Sequence, residues 1–427
     1  MDLELLTPSR FAASKPFPDL ATGRIWSISG GKDSTATLLY GRESGMLDLT
    51  GNRYVFADTG NEHDLTYDYV RYLADALQID IDWVKADFSK KIEVKAKHVR
   101  EKWPEKLLKQ YTEGRKGYWK LRTGITTKEQ DGVLFYKKGK NWVLLPPEPL
   151  APDLDVYQIA GLYKWLPTVA GVSELKAKAL ADEKIELALS VLVPTGNPFL
   201  DMCLWKGRFP STRARFCTDH LKIECIDEQV THPMLESGEY RRIESWQGVR
   251  ADESFQRRDL PLWSKEFGDD ETGEGFWVHR PIIKWTAEDV FAMHKRHGIK
   301  PNPLYLKGMG RVGCMPCINA RKDEFNAISK RFPEVIERLR LWEQLVSEAS
   351  RRGSSTFFPS VDLPDMRDAD PMLINHVDHG VDARVRWAAT DYKSKKMNGQ
   401  QDLFLLASDA DDHNEPLSCS SIYGLCG

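Results

Sequence analysis

Residues 24–44 read RIWSISGGKDSTATLLYGRES, and their order decides the fold. An apolar run, Arg24 to Ser29, meets a Gly-Gly pair and then a helix-forming stretch that begins near Ser34. This is strand, loop, helix. In Ser29-Gly30-Gly31-Lys32-Asp33-Ser34 the glycines let backbone approach a phosphate closely, and the following helix turns unpaired N–H groups and a positive dipole end toward it. Ser29 and Ser34 add hydroxyl donors. The spacing is not that of G-x-x-x-x-G-K-[ST].

Outward from this loop the pattern repeats. A second apolar run, Tyr54 to Ala57, ends at Asp58-Thr59-Gly60, a helical stretch (LTYDYVRYLADAL) follows, and a third strand is expected from Ile79 to Val84. Strands alternating with helices predict an α/β fold with a parallel sheet, whose ligands sit at the carboxyl ends of strands, where Ser29 and Asp58 fall. Val133–Tyr136 and Trp142–Leu145 read as a β-hairpin, and Pro146-Pro147-Glu148-Pro149 as a linker. The stretch from about Ser408 is acidic and Ser-rich and is expected to be mobile.

The loop SGGKDS resembles the PP-loop of the ATP pyrophosphatase superfamily, whose members bind ATP and cleave it between the α and β phosphates. Three further segments are similar to the phosphoadenylyl sulfate (PAPS) reductase family within it. These are Ala57-Asp-Thr-Gly-Asn-Glu-His63, Trp246-Gln-Gly-Val-Arg250-Ala-Asp-Glu253-Ser254 with Arg257 and Arg258 behind it, and Arg280-Pro-Ile-Ile-Lys-Trp285 leading to Asn302-Pro-Leu-Tyr305. The match runs from about residue 24 to 325, with 125 to 195 as an insertion. It implies a HUP-like nucleotide-binding core with an inserted basic and helical segment and a helical C-terminal part. The expected divisions are 1–125, 126–195, 196–345 and 346–427.

The resemblance implies nucleotide binding by Ser29, Gly30, Gly31, Lys32, Asp33, Ser34, Asp58, Thr59, Gly60, Arg250, Glu253 and Arg257. Lys32 and Asp33 are the expected catalytic pair, with Asp33 positioning Mg²⁺ against the leaving pyrophosphate. Arg250 and Arg257 are fixed cations suited to bidentate phosphate contacts; a surface ion-pair network with Asp252 and Glu253 is the alternative.

Seven cysteines, an odd number, do not make a disulfide framework. Cys314 and Cys317 form a C-x-x-C, Arg215-Phe-Cys217-Thr-Asp-His-Leu221-Lys222 resembles a family segment, and Cys203 precedes it. Four such thiolates suit a [4Fe–4S] cluster, with structural zinc as the alternative and Cys225 competing for the fourth place. Cys419 and Cys426 have no assigned role.

With 60 Lys+Arg against 63 Asp+Glu, the net charge of −3 gives no global drive toward nucleic acid. A local one exists between Lys90 and Arg122, where basic residues outnumber acidic ones about three to one amid Trp103, Tyr111, Tyr118 and Trp119; a solvated helix face is the alternative reading. Leu166 to Leu180 has the spacing of a helix-hairpin-helix, resembling the DNA-binding hairpins of repair proteins, with an ordinary helical pair as the alternative. There is no long apolar run and no signal-peptide pattern, so a cytoplasmic protein without membrane association is expected. The expected activity is ATP cleavage with adenylylation of an acceptor, leading to sulfur transfer to nucleic acid, DNA or tRNA, from a donor such as a cysteine desulfurase. The alternatives are a PAPS reductase using thioredoxin, and a non-catalytic nucleic-acid-binding scaffold.

Overall fold

The computed structural model describes residues 21–121, 125–130, 132–138, 141–145, 162–166, 168–212, 214–253, 257–359 and 374–390. The segment 24–44 folds as its pattern predicts: strand β1 (Thr22–Ile28), the loop, and helix α1 (Lys32–Glu43). Strand β2 (Asn52–Asp58), helix α2 (Asp64–Leu77) and strand β3 (Ile81–Lys85) continue the alternation. Helix α2 shows why it forms. Its buried positions, Thr66, Tyr69, Val70, Leu73 and Leu77, fall at helical spacing, and His63 Nδ1 caps it by accepting from the Leu65 N–H.

Helix α3 (Ser89–Glu113) follows, then strand β4 (Tyr118–Leu121). Strands β5 (Thr127–Gln130), β6 (Val133–Lys138) and β7 (Asn141–Leu144) form a small antiparallel sheet that contains the expected hairpin. Strand β8 (Tyr163–Leu166) pairs antiparallel with β4. The chain then returns through helices α4 (Glu174–Val191) and α5 (Pro198–Lys206) and a helical stretch at 216–236 to strand β9 (Arg242–Trp246). Strands β10 (Trp263–Gly268) and β11 (Gly275–His279) complete the main sheet, and helices α6 (Ala287–Arg296), α7 (Lys322–Arg331), α8 (Pro333–Ala349) and α9 (Val381–Ala388) follow.

The main sheet has the order β10-β11-β9-β1-β2-β3, parallel except for the β10–β11 edge pair. Strand order therefore reverses at β1: β2 lies on one side and the much later β9 on the other. That reversal opens a crevice at the carboxyl ends of β1 and β9, the place where open α/β sheets hold ligands.

One expectation changes, and two expected divisions cut across packed structure. The stretch 166–180 is not a helix-hairpin-helix, because Leu166 ends a strand paired to β4 and a single helix starts only after Ser173. Gly171 is committed to packing: a Cβ there would stand 1.9 Å from the Thr112 carbonyl oxygen at the end of α3. The 126–195 segment is not free-standing: its β8 pairs with β4, and its α4 packs on α3 and on α8. The boundary at 345/346 falls inside α8. The expected linker at 146–149, the stretch from Ser408, and Cys419 and Cys426 lie outside the described residues.

Candidate nucleotide and thiol site

The loop after β1 is held in shape by contacts from far along the chain. Gly30 has φ +69°, and a Cβ there would meet the Thr66 Cγ2 at 2.7 Å, so only glycine fits. The Ser29 N–H donates to Ser34 Oγ at 3.2 Å, and the two hydroxyls lie 3.1 Å apart. Asn302 Nδ2 donates to the Gly30 carbonyl at 3.1 Å, and the Lys32 N–H donates to Tyr305 Oη at 2.9 Å. His294 Nε2 donates to the Lys32 carbonyl at 3.0 Å; burial lowers the His294 pKa and keeps the ring neutral for that role. Gly31, the N-cap of α1, offers no capping side chain, so the helix N-terminus faces the loop with its dipole available to an anion.

Charge converges on Asp33. Lys32 Nζ lies 3.0 Å from its Oδ2 and Arg250 Nε 2.5 Å from its Oδ1, with both cationic side chains only 4% exposed. Arg250 also pairs with Asp252 at 2.6 Å. Arg250 arrives from the loop after β9, and Gly248 brings that loop close: a Cβ on Gly248 would stand 2.6 Å from the Asp33 carbonyl carbon and oxygen and from the Ser34 nitrogen. The crevice thus joins Lys32, Asp33 and Arg250. It does not join Arg257, which pairs at the surface with Glu253, whose carboxylate also accepts from the Arg250 N–H at 3.5 Å. Arg257 and Glu253 form an ion pair with each other.

Asp58, Thr59 and Gly60 lie at the end of β2. Asp58 Oδ1 accepts from the Gly60 N–H at 2.9 Å and from Tyr67 Oη at 2.8 Å. Thr59 Oγ1 donates to Glu62 Oε1 at 2.7 Å. Asp58, Gly60, Glu62 and Tyr67 line a cleft of about 360 Å³ together with Asp64, Lys85, Asn197 and Arg338. Glu62, Lys85 and Arg338 have no assigned role in the sequence reading; only Glu62 lay within a recognised motif.

The cysteines meet this cleft from one side. Cys314 forms a β-bridge with Glu62, its Sγ lies 3.5 Å from Thr59 Oγ1, and it donates to Glu62 Oε1 at 3.7 Å. The Met315 N–H donates to the Asn61 carbonyl at 2.7 Å and Asn61 Nδ2 to the Pro316 carbonyl at 3.0 Å, which sews the Cys314–Cys317 turn to the β2 loop. Burial, with Glu62 adding, pushes the Cys314 thiol up to about 12. Beside them the Lys222 pKa is raised, first by Cys314 and then by Glu62, Cys317 and Cys217, against the opposing effect of burial. Cys217 is raised by burial and by Cys317.

Cys203 sits behind Cys217, wholly buried in the helical core and raised well above the usual thiol range by burial. Cys225 belongs to a different core, beneath the sheet with Ile25, Val55 and Val84, and accepts from Gln229 Nε2 at 3.2 Å. Among the described residues no group of three or more His, Cys, Asp or Glu side chains is disposed to hold a metal ion. As placed, Cys203 stands back in apolar packing, and both Asp33 oxygens are taken by cations. Cys203 is nonetheless influenced by Cys217, Cys217 by Cys317 and Cys314 by Cys317, so the four thiols expected as ligands lie in one neighbourhood. No described helix is long and apolar enough to cross a membrane.

Comparison with known proteins agrees with this architecture. The family model described as the phosphoadenosine phosphosulfate reductase domain matches residues 24–131 and 201–320, more than half of the chain. The chain is 39% identical over 407 residues to an uncharacterized 37.8 kDa protein of Escherichia phage 186, covering 95% of this chain and 97% of that one. It is 29% identical over 113 residues to adenosine 5'-phosphosulfate reductase of Neisseria meningitidis serogroup B, covering 26% of this chain and 42% of the reductase. A shorter match, 38% over 72 residues, joins it to adenosine 5'-phosphosulfate reductase of Streptomyces coelicolor, covering 16% of this chain and 28% of that protein. The matched blocks contain the SGGKDS loop, the Asp58 loop and the Arg250 loop, which follow the carboxyl ends of β1, β2 and β9, and the thiol turn bridged to Glu62. The chain belongs to the phosphoadenosine phosphosulfate reductase domain family.

Proposed function

We propose that this chain binds ATP at the SGGKDS loop, cleaves it between the α and β phosphates, and passes the adenylyl group to a nucleic-acid acceptor as the first half of a sulfur transfer. The observation that carries this reading is the meeting of Lys32, Asp33 and Arg250 at the N-terminus of α1. Two buried cations and a helix N-terminus form a preorganised anion site, and preorganised charge aimed at developing negative charge is the largest single contribution open to such a reaction. An acceptor oxygen attacks the α phosphorus, the bond to the bridging oxygen of the β phosphate breaks, and pyrophosphate leaves toward Lys32 and Arg250. Hydrosulfide, released from the persulfide of a cysteine desulfurase by a reducing thiol that is left as a disulfide, then attacks the activated acceptor and displaces AMP. The chain's own part is to bind and orient the triphosphate and to balance the charge of the leaving group. Asp33 holds the two cations apart and on target.

A second reading, reduction of a small sulfonucleotide with thioredoxin, has its own support. The adenosine 5'-phosphosulfate reductases are partial relatives, and three thiols, Cys217, Cys314 and Cys317, gather beside the Asp58 cleft. One comparison separates the two. The purified chain is incubated with α-labelled ATP, with and without DNA or RNA, and in parallel with adenosine 5'-phosphosulfate or its 3'-phosphorylated form plus reduced thioredoxin. Release of AMP and pyrophosphate supports the first reading. Sulfite with no ATP turnover replaces it by the second, and tight nucleotide binding without either product leaves the scaffold.

A further inference from the structure

Along one flank of α3 run Lys91, Lys95, His98, Lys102 and Lys106, each one residue ahead of a buried position in the stripe Ile92, Ala96, Val99, Trp103 and Leu107. Spacings of four, three, four and four residues keep them on one face. At a rise of 1.5 Å per residue the row is about 22 Å long, the length over which one strand of a duplex sets about six phosphates. Off this flank Lys97 pairs with Glu101; Lys109, which continues the row, pairs with Glu113. Among the described residues Lys95, Lys102 and Lys106 make no ion pair, and Lys91 reaches only Glu224, at 3.9 Å.

Other cations extend the row. Arg351 repels the Lys95 ammonium, which burial already disfavours, and His98 is lowered by burial and then by Lys95, Lys106, Lys102 and Arg351. At the other end Lys206 feels Lys91, and its ammonium stacks 3.8 Å over Trp205 and 5.6 Å over Phe216, the residue before Cys217. Like charges brought together oppose folding, and Glu224, near Lys91 and Lys206, offsets them only at one end of the row. A polyanion would offset the rest, and the row ends beside the thiol site. We infer that this flank of α3, continued by Lys206 and Arg351, is the track on which the phosphate backbone of a nucleic-acid strand lies as it reaches Cys217. The inference names the partner surface for the proposed acceptor and rests on that reading for its direction, though binding itself does not require turnover.

The test uses the full chain and fluorescence anisotropy of a labelled 20-nucleotide strand and its duplex, across about 50 to 200 mM salt, where phosphate contacts make affinity fall with salt. Lys95→Glu/Lys102→Glu/Lys106→Glu should weaken binding of the better-bound form at least tenfold and reduce the salt slope by about 2, from roughly 0.7 per lost contact. The pair Lys90→Glu/Lys97→Glu, off this flank, should stay within about twofold of wild type. Because charge reversal can harm folding, Lys95→Gln/Lys102→Gln/Lys106→Gln is run beside it with melting curves, and should lose affinity with an unchanged melt. No oligonucleotide binding at 50 mM salt, wild-type affinity in both triple variants, equal losses in the control pair, or tighter binding to phosphatidylserine vesicles than to either oligonucleotide would each overturn the track. ATP turnover by the wild-type chain is measured alongside: oligonucleotide binding without turnover removes the proposed reaction and leaves the track, whereas turnover with no oligonucleotide binding does the reverse.

Discussion

Gly248→Ala is a substitution of one methyl group, and its consequence can be worked out from distances. The added Cβ would stand 2.6 Å from three backbone atoms of Asp33 and Ser34, about 0.8 Å short of the 3.4 Å at which ordinary contact begins. No side chain can swing aside, because the opposing atoms are backbone, so one of the two loops must move. Overpacking of this kind costs about 1–3 kcal/mol. The SGGKDS loop is tied by Asn302, His294 and Tyr305, while Arg250 must follow its own loop, so the gap between Arg250 and Asp33 should open. A misplacement approaching 1 Å costs on the order of 100-fold in rate. The assay is kcat/KM for AMP release, with the melting temperature recorded for each protein. Gly31→Ala is the matched comparison. Its Cβ would meet Ser29 Oγ and the Val312 carbonyl at 3.4 Å, with ordinary φ of −90°, so stability should hold or rise by a few tenths of a kcal/mol. The methyl group would nevertheless face the phosphate path, and nucleotide affinity should fall about tenfold. If Gly248→Ala turned over and melted as wild type, the two loops would not be in the contact described, and the placement of Arg250 against Asp33 would fall with it.

Other expectations follow from single contacts. Asp33→Ala should abolish AMP release while circular dichroism and melting report a folded protein; normal turnover would remove the phosphate-loop assignment. Tyr305→Phe takes away the acceptor of the Lys32 N–H, and the orphaned donor should cost about 1–3 kcal/mol, read as a lower melting temperature with weaker nucleotide binding. Glu343, buried in α8, accepts from the Phe357 and Val381 N–H groups, and burial raises its pKa from 4.5 to about 7. The folded state therefore binds more protons between those values, so its contribution is full below about pH 4.5 and falls by about 3 kcal/mol as pH rises through 7. Glu343→Gln should flatten that stretch of a urea-stability profile measured from pH 5 to 8, and parallel wild-type and variant profiles would count against the buried charge.

The sequence carried the core in its local periodicities. Strands β1 to β3, helices α1 and α2, and the β6–β7 hairpin were readable because each sets an apolar run against Gly, Asp or Asn punctuation. What was not readable is pairing at a distance. Nothing local says that β9 slots beside β1, so the approach of Gly248 and Arg250 to Asp33 came only with the motif resemblance, and the roles of Asn302, His294 and Tyr305 as loop tethers did not come at all. The stretch 166–180 misled for a related reason. Its glycine and flanking apolar residues suit a helical hairpin, yet β4 captured its first arm as a strand. Lys222 was quoted within a motif without a role, because its three thiol neighbours and Glu62 are brought to it by tertiary structure alone.

The tethers of the SGGKDS loop have a consequence for synthesis. The Lys32 N–H finds its partner 273 residues later, and the Gly30 carbonyl 272 residues later. Contacts of such sequence separation form late, after the entropy of closing the intervening chain has been met. While a ribosome is still working through the middle of the message, the first strand and helix can form, but the anion site they flank stays loose. The tethered form of the loop therefore arrives with the emergence of residues 294–305, and an interrupted translation product that ends before them would carry the loop without its anchors.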